Sequence, residues 1–233
     1  MKKLLSTLAL LLCFSPAQAG SPGSAKNFRI LKKDGYNVTI VQNPLTSLAA
    51  DVTATQNVLA DQNGPVVLVG HSYGGMVITQ AGNDAKVKSL VYISAYVPDE
   101  GENLGALLAS ADKSAAAPDI LIDPKKGIAL VDRTKFPAEF AADVDGDKAE
   151  FMAASQAPLG LQAVSDKITA AAWKTKPSYY IVSGEDRMIP PSDERSMARK
   201  ANSVQTLEVA GASHAVFISH PDIVAKVIEQ AAL

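Results

Sequence analysis

"PVVLVGHSYGG", Pro65 to Gly75, is a short apolar run closed by a serine set among glycines. An unbroken apolar stretch rich in valine fits a strand buried on both faces, the usual condition in a parallel sheet. Gly70-His71-Ser72-Tyr73-Gly74 then has the form G-x-S-x-G. In that turn a strand passes so sharply into a helix that the serine backbone is strained, and the flanking glycines leave room for it. The serine hydroxyl is lifted above the sheet, with helix N–H groups aimed towards it. A plain glycine–serine turn has the same letters. Strand before and helix after make the nucleophile reading specific.

Working outward, helix and strand alternate. Ala25 to Asp34 reads as a helix stopped by Gly35, Tyr36 to Val41 as a strand ended by Asn43-Pro44, and Ser47 to Gln62 as a helix. Tyr73 to Ala81 is the next helix and Val87 to Val97 the next strand. The pattern resumes with strand Ser178 to Ser183, a helix from Ser192, strand Gln205 to Val209 and a helix from Pro221. Such alternation predicts an α/β fold with a mostly parallel sheet and right-handed crossovers. From about 98 to 176 the chain is alanine-rich and broken by Pro118, Pro124, Pro137 and Pro158, with short helical pieces at Leu104 to Leu108 and Ala149 to Ala154. This predicts a helical cap inserted in one domain, 20–233, in which Trp173, Phe140, Phe151 and Leu159 line or pack the cap.

Residues 1–19 are different. Lys2 and Lys3, the apolar run Leu4 to Phe14 and the small-residue site Ala17-Gln18-Ala19 are the three parts of a secretory signal peptide, cleaved after Ala19. They predict a periplasmic or secreted protein. The run is about half the ~20 residues of a membrane-spanning helix, and no later stretch approaches that length. Ser21-Pro-Gly-Ser24 reads as a flexible junction. Cleavage would remove the single cysteine, Cys13, and with it disulfides, thiol catalysis and cysteine-bound zinc. A formal charge of −2 without a basic run argues against a nucleic-acid partner. No cofactor or metal is implied. Asp143-Val-Asp145-Gly-Asp147 places its glycine too early for a helix-loop-helix calcium site and reads as a solvated cap loop.

A serine nucleophile needs a base, and the base needs a group that holds its tautomer. Of the three histidines, His71 is expected to turn away beneath its strand as a packing residue, and His220, before Pro221, to cap a helix. His214, in the loop leaving the last strand, is the candidate base. Asp186, in Ser183-Gly-Glu-Asp186 after the preceding strand, is the candidate acid, where ligands gather in open parallel sheets. Glu185 and Asp99 are its alternatives. The order Ser72, Asp186, His214 is the one this triad class follows.

"VVLVGHSYGG", "LVYISAYVPDEGE", "FMAASQAPL", "SGEDRMIPP" and "GASHAVFISHP" together resemble the α/β-hydrolase superfamily, in a bacterial secreted branch similar to plant methylesterases and hydroxynitrile lyases. The similarity runs from about Gly35 to the C-terminus. It implies a serine carboxylesterase working through an acyl-enzyme, with Ser72 as nucleophile, His214 as base and Asp186 as orienting acid. The Tyr73 backbone N–H supplies part of the oxyanion hole. The apolar cap points to small uncharged ester substrates. A hydroxynitrile lyase-like activity on the same residues and a truncated, catalytically weak or binding-only remnant are the alternatives. The resemblance also implies a first, central strand bearing a His-Gly motif, whose following loop gives the second oxyanion amide. No His-Gly pair precedes Ala25, so the sheet is expected to lack or improvise that strand. Counted back from Gly35, Leu8 to Phe14 falls in its slot, with Ser15 to Gly20 as the loop, in a chain that keeps residues 1–19.

Overall fold

A computed structural model describes residues 9–13 and 22–233, with 9–13 and 22–25 as backbone. The first half runs β1 (Ala9–Cys13), α1 (Pro22–Lys33), β2 (Asn37–Ile40), α2 (Leu48–Ala60), β3 (Val66–Ser72), α3 (Gly74–Ala81) and β4 (Val87–Ala95). An insertion follows: α4 (Leu104–Ala109), β5 (Ile120–Asp123), β6 (Ile128–Val131), α5 (Phe136–Glu139), α6 (Gly146–Ser155), β7 (Leu159–Gly160) and α7 (Leu161–Ser165). A 3₁₀ turn, Ala172–Lys174, leads back to β8 (Ser178–Ser183), α8 (Pro191–Lys200), β9 (Gln205–Val209), α9 (Val216–Ser219) and α10 (Pro221–Ala231).

The main sheet has the order β2-β1-β3-β4-β8-β9, all parallel. Its improvised member is β1. Ala9 to Leu12 pair with Asn37 to Ile40 on one side, and Ala9 to Cys13 with Val66 to Gly70 on the other. Strand β3 shows why its sequence is continuously apolar. Val66 and Leu68 join a core with Leu59, Met76 and Tyr180, while Val67 and Val69 join one on the opposite face with Leu31, Phe217 and Ile228. Both faces are covered by helices, so neither alternate set can be polar.

Several boundaries and one architectural expectation change. Pro22 to Ser24 form the first turn of α1, not a flexible junction, with proline where a missing N–H costs no helix bond. Helix α8 begins at Pro191, so Ser192 lies inside it; its hydroxyl donates to Asp112 Oδ2 at 2.7 Å. The insertion is not purely helical, because β5, β6 and β7 form a small antiparallel sheet. Asp123 Oδ1 closes the β5–β6 turn by accepting the N–H groups of Lys125 and Lys126 at 3.0 and 3.1 Å. Phe151 does not pack the cap: it is 59% exposed. The expected cleavage site at Ala17 to Ala19 and the loop Ser15 to Gly20 lie outside the described residues.

Candidate active site

At the end of β3 the chain turns on Ser72, whose φ of 54° lies in the left-handed region that disfavours a non-glycine residue. Close packing makes the turn possible. A Cβ on Gly70 would meet the Gly74 carbonyl oxygen at 2.5 Å, and one on Gly75 would run into the Tyr96 carbonyl. Tyr73 is the N-cap of α3, and its hydroxyl donates to Asp51 Oδ2 at 2.8 Å. Asp51 Oδ1 in turn accepts the Leu45 N–H at 2.7 Å. One buried carboxylate thus ties the residue after Ser72 to the loop after β2. Burial raises its pKa, partly offset by these two bonds.

Beyond β8 and β9 lie the other two candidates. His214 Nδ1 is 2.6 Å from Asp186 Oδ2, both side chains fully buried. Asp186 Oδ1 also accepts the N–H groups of Met188 and Ile189 at 2.7 and 2.8 Å. With Nδ1–H donating to this carboxylate, the imidazole lone pair falls on Nε2. Nε2 is buried and has no hydrogen-bond partner among the described residues. Asp186 and His214 are therefore brought into direct contact. Ser72 stands at the end of β3, with β4 between it and β8, and is not hydrogen-bonded to Nε2; catalytic hydrogen bonds often form only once substrate is bound.

His71 departs from its expected place. It is buried, but it packs on the candidate base rather than turning away beneath the strand. Its ring centroid is 4.5 Å from that of His214 and 4.6 Å from that of Phe217. Its Nε2 lies 2.8 Å from the His214 carbonyl oxygen and must donate, since the carbonyl can only accept. Burial and the neighbouring His214 hold its pKa well below the usual histidine value, so it stays neutral. Phe140 closes the other side of His214 edge-on at 4.6 Å.

The alternatives are occupied elsewhere. Asp99 pairs with Lys174 at 2.5 Å, and Glu185 is exposed. His220 is the N-cap of α10 but makes no side-chain cap; its Nδ1 is 2.9 Å from Ser219 Oγ. Asp145 caps α6 and Asp143 accepts the Ser213 hydroxyl. Trp173 donates to the Pro98 carbonyl at 2.7 Å beneath the cap.

Two residues were missed. Asp51 sits on the buried stripe of α2 with Leu48, Val52, Thr55 and Leu59, and an acid on an apolar stripe is a signal that a sequence does carry. Glu194 is fully buried in α8, and its Oε2 accepts the Ser183 N–H at 3.0 Å. Burial and the charge of Asp186 push its pKa well above the usual carboxylate range. Its first-turn position in a helix looks, in sequence, like ordinary dipole complementation.

Ser72 opens into a cavity of about 220 Å³ between sheet and cap. The wall is mostly apolar, with Leu45, Tyr96, Phe136, Phe140, Met152, Leu159 and Met188 beside the polar Asn43, His71, Tyr73 and Gln156.

A strained serine at the top of a parallel strand, below an inserted cap, is the arrangement of an α/β hydrolase. The family model described as the alpha/beta hydrolase family matches residues 13–227, and the chain belongs to that family. It is 30% identical over 228 residues to the alpha/beta hydrolase nvfD of Aspergillus novofumigatus (strain IBT 16806), covering 87% of this chain and 88% of that one. A shorter match, 52% identical over 54 residues and 22% of each chain, is to the carbendazim hydrolyzing esterase of Nocardioides sp. (strain SG-4G). Among solved structures, polyneuridine aldehyde esterase superposes with a TM-score of 0.80 at 17% identity, covering 98% of this chain and 100% of that one. That likeness concerns the fold.

Proposed function

We propose that the protein is a serine carboxylesterase acting on small uncharged esters. The observation that carries this is the buried 2.6 Å bond between His214 and Asp186, beside the strained Ser72 turn. Ser72 Oγ attacks the ester carbonyl while His214 Nε2 takes its proton. The Tyr73 backbone N–H stabilises the oxyanion, and His214 then protonates the leaving alkoxide. Water activated by the same imidazole releases the acid, and Asp186 stabilises the imidazolium in both halves. A second oxyanion amide, which the resemblance assigns to the loop after β1, falls outside the described residues; losing one such donor typically costs ~10²–10³ in rate.

Substrate size follows from the cavity. An apolar cavity of ~150 Å³ holds benzene, so about 220 Å³ suits a single ring or a short acyl chain. The esterase names of the carbendazim-hydrolysing relative and the polyneuridine aldehyde neighbour support ester chemistry. The same proposal covers the N-terminus. Cleaved after Ala19, the chain would reach the periplasm or medium without β1; uncleaved, it keeps a strand paired on both edges. The active form retains residues 1–19.

Nitrophenyl esters of rising acyl length, with cyanide release from a cyanohydrin measured in parallel, test this on wild type and Ser72→Ala. Expected are a preference for short or single-ring acyl groups, negligible cyanide release, and a fall in kcat of about 10⁴-fold or more in the variant. Preference for long or charged acyl groups, dominant lyase activity, or an unaffected variant would contradict the proposal.

A further inference from the structure

We infer that Asn43 selects the substrate: its side-chain carbonyl receives an O–H or N–H donor carried by the ester. The inference rests on the esterase reading and adds a chemical requirement to it. Asn43 is 2% exposed and lines the cavity into which Ser72 opens. Its Oδ1 is buried and has no hydrogen-bond partner among the described residues. Buried acceptors are nearly always paired, and an unpaired one on a residue that lines a binding cavity is most simply explained by a ligand.

Three other polar side chains on this wall, Gln156, Tyr73 and His71, are already engaged, and Tyr96 lines it as well. Gln156 Oε1 accepts the Val131 N–H at 3.0 Å, and its Nε2 donates to the Val131 and Ala153 carbonyls at 2.9 and 3.1 Å. The Tyr73 hydroxyl is bound to Asp51 and His71 Nε2 to the His214 carbonyl. Asn43 is thus an acceptor on a largely apolar wall, and the ester that satisfies it carries a donor besides the scissile group.

The loop that carries Asn43 is held in place. Leu45, two residues on, has a φ of 60° and is fixed at both ends of its peptide unit. Its N–H goes to Asp51 at 2.7 Å, and its carbonyl accepts the Gly160 N–H at 2.7 Å. Asp166 Oδ2 accepts the Leu48 N–H at 3.0 Å. Since Asp51 also holds the Tyr73 hydroxyl, the loop is registered against the residue beside the nucleophile. An acceptor set this rigidly can discriminate, because a ligand lacking the donor leaves it unpaired.

The test compares methyl phenylacetate with its 2-, 3- and 4-hydroxy isomers and with its ring-amino analogues, on wild type and Asn43→Leu. In wild type at least one donor-bearing ester should exceed the parent in kcat/KM by about tenfold. In Asn43→Leu that ratio should fall to one or below, with fluorophosphonate labelling of Ser72 reporting that the fold survives. If wild type labels and hydrolyses the parent but prefers no donor-bearing ester, Asn43 does not have this role and the esterase reading stands. An unchanged ratio in the variant overturns it equally. If wild type neither labels nor hydrolyses any of these esters, both proposals fall.

Discussion

Glu194 shows how a single buried side chain writes itself into the pH dependence of the protein. Its folded pKa lies well above its unfolded value, because burial and Asp186 both oppose its charge. Between the two values the native state holds a proton that the unfolded chain releases, so this group's contribution to stability is lost as pH rises across that window. His71 has the opposite sign. Its folded pKa is depressed, so stability is lost as pH falls below ~6.5, where the unfolded histidine takes up a proton. Both states of a Glu194→Gln comparison keep His71, so the variant isolates the glutamate. Urea unfolding of wild type and variant at pH 5 and pH 8 should show the variant gaining relative stability at the higher pH. A stability difference that is flat, or that moves the other way, would mean that Glu194 is charged in the folded protein.

At the level of elements, β1 separates two meanings of one stretch of sequence. An apolar run of this length satisfies a signal peptide and a strand buried on both faces equally well, and composition cannot distinguish them. Pairing partners can, and they are Asn37 to Ile40 and Val66 to Gly70. Purified chains of residues 1–233 and 20–233, compared by thermal melting, should differ sharply. Without β1 the facing edges of β2 and β3 lose their partners, so the shorter chain should be insoluble or lack a cooperative transition. Equal melting temperatures would remove β1 from the functional fold. The cap strands were illegible for another reason. Ile120, Leu121 and Ile122 all lie toward solvent, giving no in–out alternation, and β7 is two residues long. By contrast β8 and β9 lie where their sequences indicated, because each is a compact strand bounded by turn residues.

Across the whole molecule, the mostly parallel sheet was legible from the alternation of strands and helices, whereas the contacts that tune the site were not. Ser72, Asp186 and His214 could be singled out as candidates because each ends or closely follows a recognisable strand. The bond from His71 to the His214 carbonyl joins residues 143 apart in sequence, and nothing around His71 announces it. The tie from Asp51 to both Tyr73 and Leu45 is likewise visible only after folding. Cap and sheet meet around the cavity that Ser72 lines, so in the proposed esterase the chemistry at the sheet ends and the selection by the walls act on one bound ester. The most direct check is intact mass spectrometry of the full chain and of Ser72→Ala after treatment with a fluorophosphonate. One adduct per wild-type chain of 24.4 kDa, none on the variant, is the expected result; an unlabelled wild type, or an adduct that persists without the Ser72 hydroxyl, would contradict the account.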